Sequence, residues 1–317
     1  MKHVLLTGAN GFVGNVLLDQ LSAGYRVSCA CSVLNPSPRA GVEQVVLDIR
    51  DPMACVATLE RLKPTHIVHL AAISHVPTSF RDPLLAWNTN VMGSLNLLEA
   101  IKQKVPDAFV VFASSSEVYG EAFKSGAALG ESSPCLPMNP YAASKLAAEL
   151  AFEQYFKQGI RGVIARPFNH IGSGQSPDFV TASFARQIAL IESGKQAPVM
   201  QVGNLEACRD FLDVRDVCAA YLQLLELSDG REHPRVFNIA SGQARKIKEI
   251  LDELISQSTV AISVELDPQR LRPSDIPFAV GNCERIREVL GWQPSIPLKK
   301  TLASLLADWR MRVVTEQ

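Results

Sequence analysis

The sequence predicts an α/β fold, a Rossmann-type doubly wound parallel sheet with a smaller, interleaved C-terminal substrate-binding domain. Three observations carry that expectation. Short β-rich runs alternate with helical patterns through the first half of the chain, and a βαβα order implies a parallel sheet with right-handed crossovers. Most of these runs are continuously apolar, as expected for strands covered on both faces. A glycine-rich stretch, Thr7-Gly8-Ala9-Asn10-Gly11-Phe12-Val13-Gly14, joins the first run directly to the first helical pattern.

The elements follow in order. Strands are expected over residues 3–6, 27–30, 45–46, 66–69 and 109–113, with another at 162–165. Helices are expected between them, over 14–22, 53–63, 88–102 and 140–158. From about Pro167 the rhythm breaks into a helix at 181–193, a segment at 211–227 and an isolated strand at 236–240. The remainder carries Pro268, Pro273, Pro277, Pro294 and Pro297 and reads as loop-rich. The expected division is a dinucleotide-binding domain over 1–167, to which 211–240 contributes later elements. The second domain is expected over 168–210 and 241–317.

Composition removes several function classes. The 317 residues include 31 Lys and Arg against 32 Asp and Glu, a formal charge of −1. That balance offers no global pull toward nucleic acid or an anionic membrane. A hydrophobic content of 47% argues against extensive disorder. No apolar run approaches the ~18–20 residues of a membrane span, and the N-terminus lacks the apolar region and cleavage site of a signal peptide. A cytoplasmic protein is expected. The seven cysteines are scattered and never spaced C-x-x-C, and the six histidines supply no zinc spacing. Reduced thiols and no metal are expected.

The glycine-rich stretch has the strand–turn–helix setting of a dinucleotide cradle. Gly8 allows a tight turn, Gly11 a close backbone approach to a diphosphate, and Gly14 the packing of helix on strand. The helix N-terminus then offers free N–H groups to the anion. Asn10, Phe12 and Val13 complete the turn and belong to the same candidate site. The end of the second strand usually selects the dinucleotide, an acid binding the ribose 2′-hydroxyl and an Arg accommodating a 2′-phosphate. Here it reads Cys29-Ala30-Cys31-Ser32-Val33-Leu34-Asn35, with neither. Lack of the acid tilts the expectation to NADP(H) and leaves NAD(H) open, with Ser32, Asn35 and Arg39 as candidate phosphate partners. Asp48-Ile49 follows a strand and meets the adenine edge in one reading, or is an exposed turn in the other.

Tyr141 and Lys145 lie at i and i+4 after Pro140, which suits a helix start, so phenol and ammonium share a face. A free Tyr has a pKa of ~10, and a nearby Lys⁺ is expected to pull it down. So tuned, the phenol passes a proton to or from a reacting oxygen. An isolated Y-x-x-x-K is more often a solvated helix face. What raises this one is Ser114-Ser115-Ser116-Glu117-Val118-Tyr119-Gly120 at the end of the 109–113 strand, since ligands bind at the carboxyl ends of such sheets.

The glycine pattern, His69-Leu70-Ala71-Ala72, Ser115-Ser116-Glu117 with Tyr119-Gly120, and Tyr141-x-x-x-Lys145 together resemble the extended short-chain dehydrogenase/reductases acting on nucleotide sugars, the NAD-dependent epimerase/dehydratase family. The resemblance covers nearly the whole chain. Blocks 166–175, 203–216 and 271–275 are most similar to members that reduce GDP-linked 4-keto-6-deoxy sugars. The resemblance implies reduction of the 4-keto group of GDP-4-dehydro-6-deoxy-D-mannose, with Ser115 polarising the carbonyl and Tyr141 donating the proton. Lys145 would tune Tyr141 and hold the nicotinamide ribose. Leu70, Ala71, Ala72 and Asn90 would join the cofactor site. Ser116, Glu117, Asn169, Arg209, Arg272, Ser274 and Asp275 would bind substrate, the arginines pairing with its phosphates.

One departure is Ser173, where the family's Gly-Pro-Gly-Gln carries Pro, which is expected to loosen that loop. Three rivals stay open. A GDP-mannose 4,6-dehydratase would use Glu117 as an additional base, an epimerase would rotate its keto intermediate, and a non-catalytic dinucleotide sensor would share only the fold. His69, His75 and His170 read as packing residues first, and Trp87, Trp292 and Trp309 as core or docking anchors. Relatives commonly pair the helices at 88–102 and 140–158 across subunits, so a homodimer is expected.

Overall fold

The computed structural model describes residues 2–35, 39–230, 232–270 and 276–315. The first strands are β1 (His3–Thr7), β2 (Arg26–Cys31), β3 (Glu43–Val46), β4 (His66–His69), β5 (Phe109–Ala113) and β6 (Arg161–Pro167). β1, β4 and β5 are buried along their whole length, which their apolar sequences permit on both faces. Later strands are β7 (Asn169–Ile171), β8 (Val199–Val202), β9 (Cys208–Asp213), β10 (Val236–Ile239), β11 (Ala244–Lys246), β12 (Ser263–Leu266) and β13 (Phe278–Ala279). The main sheet has seven strands in the order β10-β6-β5-β4-β1-β2-β3, every neighbouring pair parallel.

The helices are α1 (Phe12–Leu21), α2 (Pro52–Leu62), α3 (Val76–Arg81), α4 (Pro83–Trp87), α5 (Gly93–Lys104), α6 (Pro140–Lys157), α7 (Val180–Glu192), α8 (Val214–Leu225), α9 (Ile247–Ile255), α10 (Glu284–Leu290) and α11 (Leu298–Thr315). α1 and α8 cover one face of the sheet through Leu17, Leu21, Val217 and Leu224. α2, α5 and α6 cover the other through Leu59, Leu97, Ile101, Phe152 and Phe156. A separate core of Phe184, Ile188, Leu254, Leu305 and Trp309 joins α7, α9 and α11. Side-chain caps set several starts. Asp51 accepts from the Met53 and Ala54 amides ahead of α2, Asn139 from Ala142 ahead of α6, and Asp213 from Arg215 ahead of α8.

Two regions differ from the pattern reading. The helix expected over 88–102 is preceded by α3 and α4, and Asn88–Met92 winds as a π-helical turn before α5. Pro77 and Pro83 fit first-turn positions, and Asp82 caps the Leu85 amide, so two short helices form where periodicity alone is uninformative. Secondly, β9 runs unbroken across residue 211, pairing with β7, β11 and β13 and not with the main sheet. The strand at 208–213 therefore straddles the expected domain division.

Trp292 and Trp309 are buried, as core anchors should be, whereas Trp87 is 42% exposed on α4. Among the described residues no helix is long and apolar enough to cross a membrane.

Candidate functional site

A cleft of about 1350 Å3 opens at the carboxyl ends of the central strands and continues between the sheet and α7. One end is the glycine turn. Gly8 has φ +72°, and a Cβ there would sit 2.8 Å from the Ala71 nitrogen. A Cβ on Gly14 would sit 2.3 Å from the Gly8 carbonyl oxygen, so α1 starts in contact with the turn that precedes it. Gly11 is the N-cap of α1 with no side-chain cap, and the first turn carries no acid. Bare N–H groups at a helix N-terminus, in a cradle lined by Gly8, Asn10, Gly11, Phe12, Val13 and Gly14, fit an anionic diphosphate.

Ser32, Asp48 and Ile49 line the adjoining end, with Leu70, Ala71 and Ala72 on the opposite wall. Of the three candidate partners for a 2′-phosphate, Ser32 alone lines the cleft. Arg39 is instead paired with Asp19 on α1, and the Asn35 amide donates to Gln44 Oε1 at 2.9 Å. Arg50, which the sequence reading passed over, lines this end while forming a bidentate pair with Asp48, Nε–Oδ1 2.9 Å and Nη2–Oδ2 2.6 Å. That pair holds the Asp48 carboxyl below its usual range.

Asn90 is a correction. It does not line the cleft but sits 1% exposed behind its wall, donating to Ile73 O at 3.0 Å and Ser144 Oγ at 2.9 Å. The Ile73 amide donates back to Asn90 Oδ1 at 2.8 Å. The π turn aims this amide at the backbone it braces. His69 has a similar bracing part, bonded to Thr7 Oγ1 at 2.7 Å and Ser94 Oγ at 3.1 Å. Burial, with the Lys145 charge adding to it, pushes the His69 imidazole down to about 3, so the ring stays neutral.

At the centre the triad converges. Ser115 lies two residues past β5 and caps the 3-10 turn Ser116–Tyr119, its Oγ accepting from the Glu117 amide at 3.2 Å. Its hydroxyl also faces the Tyr141 phenol and acts to lower its pKa. Lys145, 3% exposed, holds its ammonium 4.4 Å from the Phe112 ring centre. The expected lowering of the tyrosine is not what the environment produces. Burial pushes the Tyr141 phenol up to about 12, the Ser115 hydroxyl opposing and the Glu117 charge adding to it. Burial also pushes Lys145 down to about 7, with Glu149 opposing. Both groups lose solvation, and that loss outweighs the Ser115, Glu117 and Glu149 influences on them.

The other end of the cleft holds Ser116, Glu117, Asn169 and Arg209, which also share a small adjoining hollow with Phe168 and Ile276. Asn139 Nδ2 donates to Glu117 Oε2 at 3.1 Å, and Arg209 Nη1 donates to the Cys208 and Ile276 carbonyls at 2.8 and 2.7 Å. Arg272, Ser274 and Asp275 lie outside the described residues.

The chain matches the family described as GDP-mannose 4,6 dehydratase over residues 5–305. It belongs to this family. Among relatives, a GDP-6-deoxy-D-mannose reductase of Pseudomonas aeruginosa is 38% identical over 316 residues, covering 99% of each chain. The solved structure of RMD from Pseudomonas aeruginosa complexed with NADPH superposes with TM-score 0.84 at 35% identity, covering 98% of this chain and 100% of that one. A Thermus thermophilus UDP-glucose 4-epimerase in complex with NAD gives 0.85 at 28% identity, covering 97% and 99%. The fold is thus that of the Rossmann-type epimerases and reductases.

Within this member of the GDP-mannose 4,6 dehydratase family, several contacts and lining residues of the cleft are not legible in the sequence. Phe12 stacks on His170 at 5.9 Å between ring centres, 5° from parallel, joining the cradle to β7. Gln175 lines the cleft and donates to His170 O at 2.9 Å. Ser173, expected to loosen this loop, donates to Ser304 O at 3.3 Å, and the Gly174 amide donates to Asp308 Oδ2 at 2.9 Å. The loop is thereby fastened to α11. Tyr221 and Arg270 also line the cleft. Tyr221 and Arg270 lie in no local spacing pattern, so sequence carried no signal for them beyond residue type.

Proposed function

We propose that this chain reduces the 4-keto group of GDP-4-dehydro-6-deoxy-D-mannose to GDP-6-deoxy-D-mannose (GDP-D-rhamnose), using NADPH or NADH. The observation that carries this reading is Ser115, Tyr141 and Lys145 meeting in one cleft, between a diphosphate cradle and a second lobe bearing Asn169 and Arg209. The full-length similarity to a GDP-6-deoxy-D-mannose reductase narrows the substrate. A reduced nicotinamide bound along the cradle supplies the hydride.

The protein's own groups do the rest. Ser115 donates a hydrogen bond to the ketone oxygen and fixes its orientation. Tyr141 gives its proton to that oxygen as negative charge develops. A phenol held near 12 is fully protonated at neutral pH, which is the state a reduction needs at the outset. Lys145 orients the nicotinamide ribose and stabilises the phenolate left behind. Asn169, Arg209 and, from the undescribed segment, Arg272, Ser274 and Asp275 hold the nucleotide sugar, with Ser116 and Glu117 against its sugar ring. In this reading residues 1–167 with 211–240 form the dinucleotide-binding part, and 168–210 with 241–317 the substrate-binding part. Residues 211–213 are the exception, because they end β9 and pair with β7 of the second lobe. The enzyme acts as a cytoplasmic homodimer.

Glu117 lines the cleft near Tyr141 and so favours a second reading, proton abstraction next to the ketone as in a 4,6-dehydratase. One assay separates the two. Enzymatically prepared GDP-4-dehydro-6-deoxy-D-mannose should oxidise NADPH or NADH stoichiometrically, with GDP-D-rhamnose identified by NMR. GDP-mannose with NADP⁺ should give no keto product. Turnover of GDP-mannose without reduction of the keto sugar would sink the reductase reading.

A further inference from the structure

A buried ion pair lies directly behind the triad, outside the cleft. Glu149 follows Lys145 by four residues on α6 and is 1% exposed, while Arg166, next to last in β6, is 5% exposed. They form a bidentate pair, Arg166 Nε to Glu149 Oε1 at 2.9 Å and Nη2 to Oε2 at 2.6 Å. Arg166 Nη1 also donates to the Tyr119 hydroxyl at 3.1 Å, and that hydroxyl donates to Asn238 Oδ1 at 2.7 Å. The guanidinium lies over the Tyr119 ring, 5.0 Å from its centre. Three segments meet at this point. α6 carries Tyr141 and Lys145, the turn after β5 carries Ser115 and Glu117 and ends in Tyr119, and β6 leads three residues on to Asn169.

We propose that Glu149 and Arg166, acting through Tyr119, are positioning residues that hold these three segments in register and balance the charge of Lys145. The inference rests on the proposed reductase reading for its catalytic consequence, though not for its electrostatic one. Burying an ion pair gives little net stability compared with an apolar replacement, so its place here asks for another explanation. The groups facing Lys145 supply it. They are Tyr141 and Glu149 from its own helix, neutral His69 from β4 and the Phe112 ring from β5. Among them Glu149 is the carboxylate, and it opposes the effect of burial on the ammonium. Arg166 in turn draws off part of that negative charge.

The two partners therefore have opposite effects on Lys145, which a purely structural pair would not. In Glu149→Gln the ammonium loses its counter-charge and faces an uncompensated guanidinium, so its titration midpoint moves acidward. In Arg166→Met the whole carboxylate charge acts on Lys145, and the midpoint moves alkaline. Each shift should reach about half a pH unit or more. The readout is the Lys145 Nζ resonance of ¹⁵N-lysine-labelled, ligand-free protein, assigned by its loss in Lys145→Met and titrated in wild type and both variants. The alkaline limb of kcat/KM should follow the same signs, while Tyr119→Phe should lower kcat with KM, midpoint and limb unchanged. Folded variants whose midpoints stay put or move the same way overturn the charge balance. A Tyr119→Phe enzyme with wild-type kcat overturns the register role. Should the single variants fail to fold, the double variant E149Q/R166M leaves no unpaired charge. It is expected to keep wild-type dinucleotide affinity, measured by cofactor fluorescence, with kcat down at least about tenfold, and a wild-type kcat there defeats the proposal. If wild type does not turn over the keto sugar, the reductase reading fails while the Nζ titration still decides this one.

Discussion

Tyr141 and Lys145 are both buried in the cleft and both shifted toward their neutral forms, the phenol up to about 12 and the amine down to about 7. For a reduction this is a productive starting state, because the acid is loaded before the ketone arrives. Tyr141→Phe keeps the ring and removes the proton. It should lower kcat by about 10²–10⁴-fold while dinucleotide affinity, followed by fluorescence titration, stays within about twofold. Wild-type turnover in that variant would leave the mechanism without its acid. Lys145 carries a stability cost as well. The unfolded chain holds a proton on this amine up to its ordinary value of 10.5, whereas the folded chain releases it near 7. Folding stability through this group therefore rises with pH between those values and is lowest below about 7. Lys145→Met should abolish turnover yet raise stability by about 1–3 kcal/mol at pH 6.5. By differential scanning calorimetry the gain should shrink toward pH 10, and a gain independent of pH would contradict the assignment to this ammonium.

At the scale of elements, the glycine turn and the π turn show two degrees of legibility. The turn between β1 and α1 was readable because its requirements are local. Eight consecutive residues contain the tight turn, the bare helix start and the contact of Gly14 with the Gly8 carbonyl. Gly14→Ala has no room for its methyl, which would sit 2.3 Å from that oxygen. It should cost about 1–3 kcal/mol and weaken dinucleotide binding at least about tenfold, since the N–H groups of α1 must move. Calorimetry with and without cofactor tests both parts. By contrast, the sequence reading assigned Asn90 to the cofactor because the resemblance put it there. Its actual partners, Ile73 and Ser144, lie 17 and 54 residues away, and the π turn decides which way its amide points. The pairing of Arg39 with Asp19 on α1 is likewise a long-range contact without a sequence pattern.

For the whole molecule, the outer side of α4, the π turn and α6 leaves Trp87, Met92 and Leu150 exposed at 42, 50 and 60%. A surface helix ordinarily turns a polar face to water, and such a patch suits a second copy of the chain. Leu150→Glu should convert the proposed homodimer to a monomer of about 34.5 kDa in light scattering. Fold and activity of the isolated subunit should be largely retained, because Leu150 packs against neither core. A wild-type mass of one subunit would remove the dimer.

Sequence alone determined the doubly wound sheet, the cradle, and the pairing of a phenol and an ammonium on one helix face. Each is a matter of spacing within a few residues, where backbone geometry translates pattern directly into position. Only the tertiary structure decided how those groups are charged and braced. Tyr141 and Lys145 are buried beside His69 of β4, Phe112 of β5 and Tyr221 of α8, and Arg166 reaches Glu149 and Tyr119 across 17 and 47 residues of chain. Burial and long-range hydrogen bonds have no period in the sequence. They exist only once the strands are side by side.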